Sequence, residues 1–196
     1  MPDDLSQKTV LVTLIPDAVQ PLVNSSLLGA AHRGSERAFA DLLGPLVDPG
    51  YRLACAMLHD PQAAEDVMQE ASFTAWRRLA KVQDQQKLRP WFLSIVANEC
   101  RNARRLRWVA RVKLGLPIAA SVRSDEERIQ RGVDLARALK QLGDRDRLVV
   151  LLYFYLDLPL EEVASIVGSS VDAARARLYR SVRRLRPDLE IQEALK

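Results

Sequence analysis

Apolar residues in this chain recur at spacings of three and four from Leu27 onward, and no run alternates long enough to make a strand. That period commits the chain to helices packed on helices. Breaks in the pattern then set the organisation. Residues 1–26 hold three prolines and read as an irregular extension. A helix starts near Leu27 or Ser35 and carries Phe39, Leu42 and Leu43, and "DPGYRLACAMLHD" predicts a second, short helix with Leu53, Ala56 and Met57 inward. Asp60-Pro61 has the form of an N-cap followed by proline at the first helical position, where the missing N–H costs nothing. The helix it opens is expected to run to about Lys81. The polar stretch "VQDQQKLRP" follows, and then "WFLSIVANECRNARRLRW", a long helix that begins apolar and ends basic.

Residues 114–124, "LGLPIAASVRS", combine Gly115, Pro117 and small side chains between two charged helices, the composition of a linker. Beyond them Ser124 and Glu127 have capping-box spacing and introduce a helix with Ile129, Val133, Ala136 and Leu139 inward. Asp144 is expected to cap "RDRLVVLLYFYL", whose apolar run implies burial on most sides. The reading is an all-α chain of two small helical domains, 27–113 and 125–196, joined by a flexible linker at 114–124.

Charge is unevenly placed. Arg101, Arg104, Arg105, Arg107, Arg111 and Lys113 form one run without an acid, and Arg175 to Arg186 holds six arginines, again without an acid. Two such runs point to two contacts with a polyanion, whereas a solvated helix face would mix its signs. Cys55 and Cys100 stand apart with only His32 and His59 to join them, so they read as small buried hydrophobes and no metal is expected. No phosphate-cradling glycine loop, zinc-protease pair or nucleophile elbow occurs, and neither catalytic residues nor a cofactor are expected. No stretch reaches the about 18 unbroken apolar residues of a membrane span, and the basic start of a signal peptide is missing, so a cytoplasmic chain is expected.

"LPLEEVASIVGSSVDAARARLYRSVRRLR" places two short helices around a Gly-Ser-Ser turn. Val163, Ala164 and Val167 face inward in the first, Gly168 takes a left-handed turn, and Ser170 caps the second. That second helix buries Ala174 and Leu178 and is expected to expose Arg175, Arg177, Arg180 and Arg184. This is helix-turn-helix architecture, in which arginine forks onto guanine or pairs with phosphate. Repressors, activators and initiation factors all use it.

The acidic stretch "AEDVMQEASFTAW" separates these classes. At 100° per residue Ala64, Val67, Met68, Ala71, Ala75 and Leu79 share a core stripe. Asp66, Gln69, Glu70 and Arg77 stand opposite, with Phe73 among them. An aromatic among carboxylates has the mixed chemistry of a protein interface and would repel DNA. A central helix packed on two sides, with acids favouring its dipole, is the other reading open at this point.

"DPQAAEDVMQEASFTAWRRL" and "LRPWFLSIVANECRNARRLR" together resemble region 2 of the sigma-70 family in its two-domain extracytoplasmic-function (ECF) form. "LGDRDRLVVLLYFYLDLPLEEVASIVGSSVDAARARLYRSVRRLR" resembles region 4 of the same family. The likeness covers residues 27–107 and 125–186. It implies a transcription initiation factor whose Asp66, Gln69 and Glu70, with Phe73 as apolar neighbour, dock on core RNA polymerase. It implies that Asn98, Arg101, Asn102, Arg104 and Arg105 meet the −10 promoter element, and that the loop before them holds a base flipped from the melted non-template strand. Ser170, Arg175, Arg177 and Arg180 would read the −35 duplex. An anti-sigma partner is common in such proteins. The chain departs from the family at Ser169 and at Asp172-Ala173-Ala174, where Asp172 would alter which base is read. A dimeric helix-turn-helix regulator without sigma activity is the rival, and an adaptor without DNA contact the weaker one. Trp91 reads as a core anchor rather than a stacking platform; Trp76 and Trp108 have no assigned place.

Overall fold

The computed structural model describes residues 27–113, 138, 139 and 141–193, with backbone alone for 111–113 and 186–193. The extension 1–26, the 114–124 linker and the Ser124–Glu127 capping box lie outside the described residues. A short helix at 27–32 (α1) turns through Gly34 and leads to α2 (Glu36–Leu58), capped by Ser35 Oγ, which accepts from Ala38 N–H at 3.3 Å. Next come α3 (Pro61–Arg78), with a 3-10 turn to Lys81, and α4 (Leu88–Lys113). The C-terminal part holds α5 (Asp144–Val150), α6 (Leu160–Val167) and α7 (Val171–Glu193). No strand occurs among the described residues, and the fold is all-α with two helical parts, as the apolar period requires.

Two expectations are corrected. The second short helix predicted from Asp48 does not exist as a separate element, because α2 runs unbroken through Pro45 and Pro49. Each proline removes one helical hydrogen bond, but the carbonyls left over belong to Asp41 and Pro45, which are exposed and can be hydrated. The buried series Leu42, Leu43, Leu46, Gly50 and Leu53 keeps the helix on its track. Asp144 is likewise not the cap of α5: Gly143 holds that position without a side-chain bond, and Asp144 sits in the first turn, where its charge still favours the helix dipole. By contrast, Asp60 caps α3 as expected, its carboxylate accepting from Ala63 N–H at 3.1 Å with Pro61 in the first turn.

Helices α2, α3 and α4 pack on one another pairwise, and α4 also packs against α6. Ala63, Ala64, Ala71 and Ala75 form the buried side of α3 together with Val67 and Met68, and Leu79 is buried just beyond it. Small residues on that side let the helix axes approach. Gly50 is a close crossing: a Cβ there would lie 3.0 Å from Met68 Cε and 3.2 Å from a Phe92 ring carbon. Phe92 is fully buried at this junction. In the C-terminal part the helix after α5 widens into a π turn over Leu151–Tyr155, closed by Leu156 N–H to Leu151 O at 3.0 Å. Leu151 and Leu152 are buried there while Phe154 and Tyr155 are exposed, so burial ends earlier than the apolar run suggested. Arg147 is buried, its guanidinium donating to Leu139 O at 2.8 Å and Leu142 O at 3.1 Å, which satisfies carbonyls at the end of the preceding helical segment.

Gly50→Ala is expected to be nearly neutral in urea denaturation, since the mobile end of Met68 yields and alanine gains about 1 kcal/mol of helix propensity. Gly50→Val forces its branches on Met68 and Phe92 and is expected to cost about 2 kcal/mol. Cys55 and Cys100 are both free, but burial pushes the Cys100 thiol up to about 12. It stays protonated in the folded chain while the unfolded chain ionises above about pH 8.5, so stability declines as pH rises past that value. Alkylation at pH 8 is expected to label the half-buried Cys55 and spare Cys100 until the chain unfolds, as read by peptide mass.

Candidate functional site

The acidic face of α3 stands clear of the core. Asp66, Gln69 and Glu70 are exposed, Phe73 is 58% exposed, and Arg77 lies over the Phe73 ring at 5.5 Å. Neither Asp66 nor Glu70 has a partner among the described residues. All four expected residues therefore share one face, and the alternative of a helix buried on two sides does not hold at these positions. Trp76, unplaced from sequence, stacks edge-on against Phe39 at 5.0 Å between centroids and ties α3 to α2. Its signal was hidden because the pair spans two helices.

The expected loop before α4 holds a 3-10 turn, Gln85–Lys87, with Asp84 accepting from Gln86 N–H at 2.9 Å. The helix then changes character at Cys100. Phe92, Leu93, Ile95, Val96, Ala97 and Cys100 are buried, and no residue from Arg101 to Ala110 is. Trp91 is half-buried against the core, in keeping with an anchor. Asn98, Asn102 and Arg105 are exposed, and Arg101 and Arg104 half-exposed. Arg101 donates to Asn98 Oδ1, and Asn102 to Glu99 Oε2 at 3.3 Å. Two arginines of this run are tied to distant acids. Arg104 pairs with Asp144 of α5, and Arg107 donates to Asp60 Oδ2 at 2.8 Å. The Ala63 N–H, and then Arg107, hold the Asp60 carboxyl below the usual carboxylate range. Arg107 thus strengthens the cap of α3.

The turn between α6 and α7 forms as expected. Gly168 has φ +67°, which costs glycine little, and Ser170 Oγ accepts from Ala173 N–H at 3.2 Å. Val163, Ala164, Ala174 and Leu178 are buried, while Val167 is only partly so and Ile166 is buried beside it. Arg175 and Arg180 are exposed. Arg177 differs from expectation: it is half-buried and donates to Asp146 Oδ1 at 2.9 Å, while Arg184 reaches Asp146 Oδ2 at 3.1 Å. A single carboxylate on α5 thereby neutralises two arginines of the helix. Asp172 pairs with Arg175 at 2.9 Å, a surface pair of little energy that fixes where that guanidinium points.

The two parts also meet. Arg89 Nε lies 3.6 Å from Glu162 Oε2, and Arg52 donates to Tyr155 O at 3.2 Å while its guanidinium covers the Tyr155 ring at 4.7 Å. No group of three metal-ligating side chains occurs among the described residues. No described helix is long and apolar enough to cross a membrane.

An acidic-aromatic face and two cationic helices, one of them the second helix of a helix-turn-helix, are the geometry against which known proteins can be compared. Residues 41–109 match the pattern of Sigma-70 region 2, and residues 132–185 that of Sigma-70, region 4. The RNA polymerase sigma factor SigV of Bacillus subtilis (strain 168) is 29% identical over 139 residues, which are 71% of this chain and 83% of SigV. Two solved structures share the fold, each with a TM-score of 0.65 and covering 97% of the solved chain. One is CnrH in complex with the cytosolic domain of CnrY, 24% identical over 86% of this chain. The other is the sigma factor RpoE of Bartonella quintana with the anti-sigma factor NepR, 21% identical over 78% of this chain. The chain belongs to the sigma-70 family of transcription initiation factors, which are not enzymes, and within it to the ECF sigma factors.

Proposed function

We propose that this chain binds core RNA polymerase through Asp66, Gln69, Glu70 and Phe73, and recognises two promoter elements with two other surfaces. The domain 27–113 takes the −10 element through Asn98, Arg101, Asn102, Arg104 and Arg105. The domain 125–196 takes the −35 duplex through Ser170, Arg175, Arg177 and Arg180, and the linker 114–124 spans the two. The protein promotes opening of the −10 duplex and holds the melted non-template strand, using binding energy alone. It works in the cytoplasm, where polymerase and promoters are.

The carrying observation is the exposed, unpaired Asp66–Glu70 face around Phe73. Carboxylates in that position repel DNA and would favour a basic protein surface, with the aromatic as the buried anchor of the contact. The separation of this face from the two cationic helices supports a division between polymerase contact and DNA contact. CnrH and RpoE were each solved with another protein, which in the RpoE structure is an anti-sigma factor; this supports an anti-sigma partner for the present chain as well.

Run-off transcription with sigma-free core polymerase on a genomic promoter library tests the reading. Promoter-dependent transcripts are expected, and Asp66→Arg with Glu70→Arg should abolish them by weakening core binding about a hundredfold or more. Circular dichroism of that variant should be unchanged, since both carboxylates are exposed. A palindromic footprint by the protein alone, with no transcript, would instead support the dimeric regulator.

Arg104 carries a further expectation. Its pairing with Asp144 competes with a DNA phosphate for the same guanidinium. Asp144→Asn should strengthen promoter binding by the holoenzyme up to about fivefold, the range of an exposed ion pair. Unchanged or weaker binding in a filter or anisotropy assay would remove Arg104 from the −10 contact.

A further inference from the structure

The exposed half of α4 carries one residue that neither the fold nor the assigned contacts use. Trp108 is 60% exposed and has no ring or cation partner among the described residues. The other two tryptophans are engaged, Trp76 on Phe39 and Trp91 on the core. Leaving an indole in water forgoes the apolar stabilisation that a large aromatic ordinarily contributes.

Position on the helix narrows what Trp108 faces. At 100° per residue Asn98, Arg101, Arg105 and Trp108 fall within a sector of about 80°, along about 15 Å of helix. Arg105 and Arg101 thus stand about one and two turns before the indole on its own face. Leu106, the other exposed large apolar residue of this segment at 64%, projects from nearly the opposite side. The two therefore make no contiguous apolar patch of the kind that docks another protein. A flat aromatic aligned with guanidinium groups matches a polyanion that has flat faces of its own. Single-stranded DNA is such a partner: arginines track its phosphates and an aromatic stacks on a base. In closed duplex the base faces are covered by their neighbours, so stacking requires an opened segment.

We infer that Trp108 is a DNA-contacting residue of this helix and stacks on a base left uncovered at the edge of the opened promoter segment. The inference rests on the assignment of α4 to the −10 element. Stacking on an aromatic tolerates any base, so Trp108 would stabilise the open state without choosing the promoter sequence.

The test uses holoenzyme carrying the full chain and a fork-junction DNA pool whose unpaired strand is randomised, compared with the same pool fully paired. Trp108→Ala should weaken fork binding about tenfold, the range of one lost stacked base, and change duplex binding less than about twofold. Trp108→Phe keeps a stacking face and should stay within about threefold of the parent on the fork. Unchanged fork binding by Trp108→Ala, or an equal loss on fork and duplex, would overturn the stacking role. Arg101→Ala with Arg105→Ala separates the two levels of the argument. If that pair weakens fork binding while Trp108→Ala does not, Trp108 alone is misassigned. If neither weakens it, the −10 assignment of α4 fails and the Trp108 inference with it.

Discussion

Helix α4 is the wall on which both parts of this protein are built. Its first half closes the core with α2 and α3 and also packs against α6, which is why Phe92, Leu93, Val96, Ala97 and Cys100 are all fully buried. A helix buried on more than one side has little surface left for a ligand. The chain meets this constraint by dividing α4 along its length. Past Cys100 no residue up to Ala110 is buried, and there the sequence turns cationic. The rigid, packed half orients the bare half, so the nucleic-acid contact proposed for this helix would lie on an element whose direction the core determines.

Electrostatic pairing adds a second layer of order. The two basic runs contain no acids, yet Arg104, Arg107, Arg177 and Arg184 each find a carboxylate delivered by another helix or its cap. Asp60 and Asp146 therefore act as structural counter-charges, and the Asp144 carboxylate bridges the two parts. Exposed pairs of this kind contribute little to stability, but they determine which guanidinium groups remain available to phosphate. Arg105 and Arg180 are exposed and have no partner among the described residues, whereas Arg177 is half-withdrawn. Counting charges along the sequence therefore overstates the cationic surface that a DNA backbone would meet.

Much of the fold was legible because its signals are local. The core stripe of α3 from Ala64 to Leu79, the Asp60-Pro61 start and the Gly168–Ser170 turn each rest on residues within a few positions of one another. The errors arose where a local rule met a tertiary competitor. The segment from Asp48-Pro49 suggested a new helix, but inward packing of Leu42, Leu46, Gly50 and Leu53 carries α2 through both Pro45 and Pro49 and outweighs two lost hydrogen bonds whose carbonyls face water. Asp144 looked like a cap, and its carboxylate turns instead to Arg104, 40 residues away.

From sequence alone came the all-helical class, the division into acidic and basic faces and the resemblance that names the family. Helical period, caps and turn chemistry act over one or two turns, and a single chain displays them without coordinates. Only the tertiary structure decided which arginines are occupied, where Trp76 finds its partner, that α2 is continuous and that Trp108 is left bare. Each of those depends on which distant helix comes to lie alongside, and that is set by packing across the core, which no local pattern encodes.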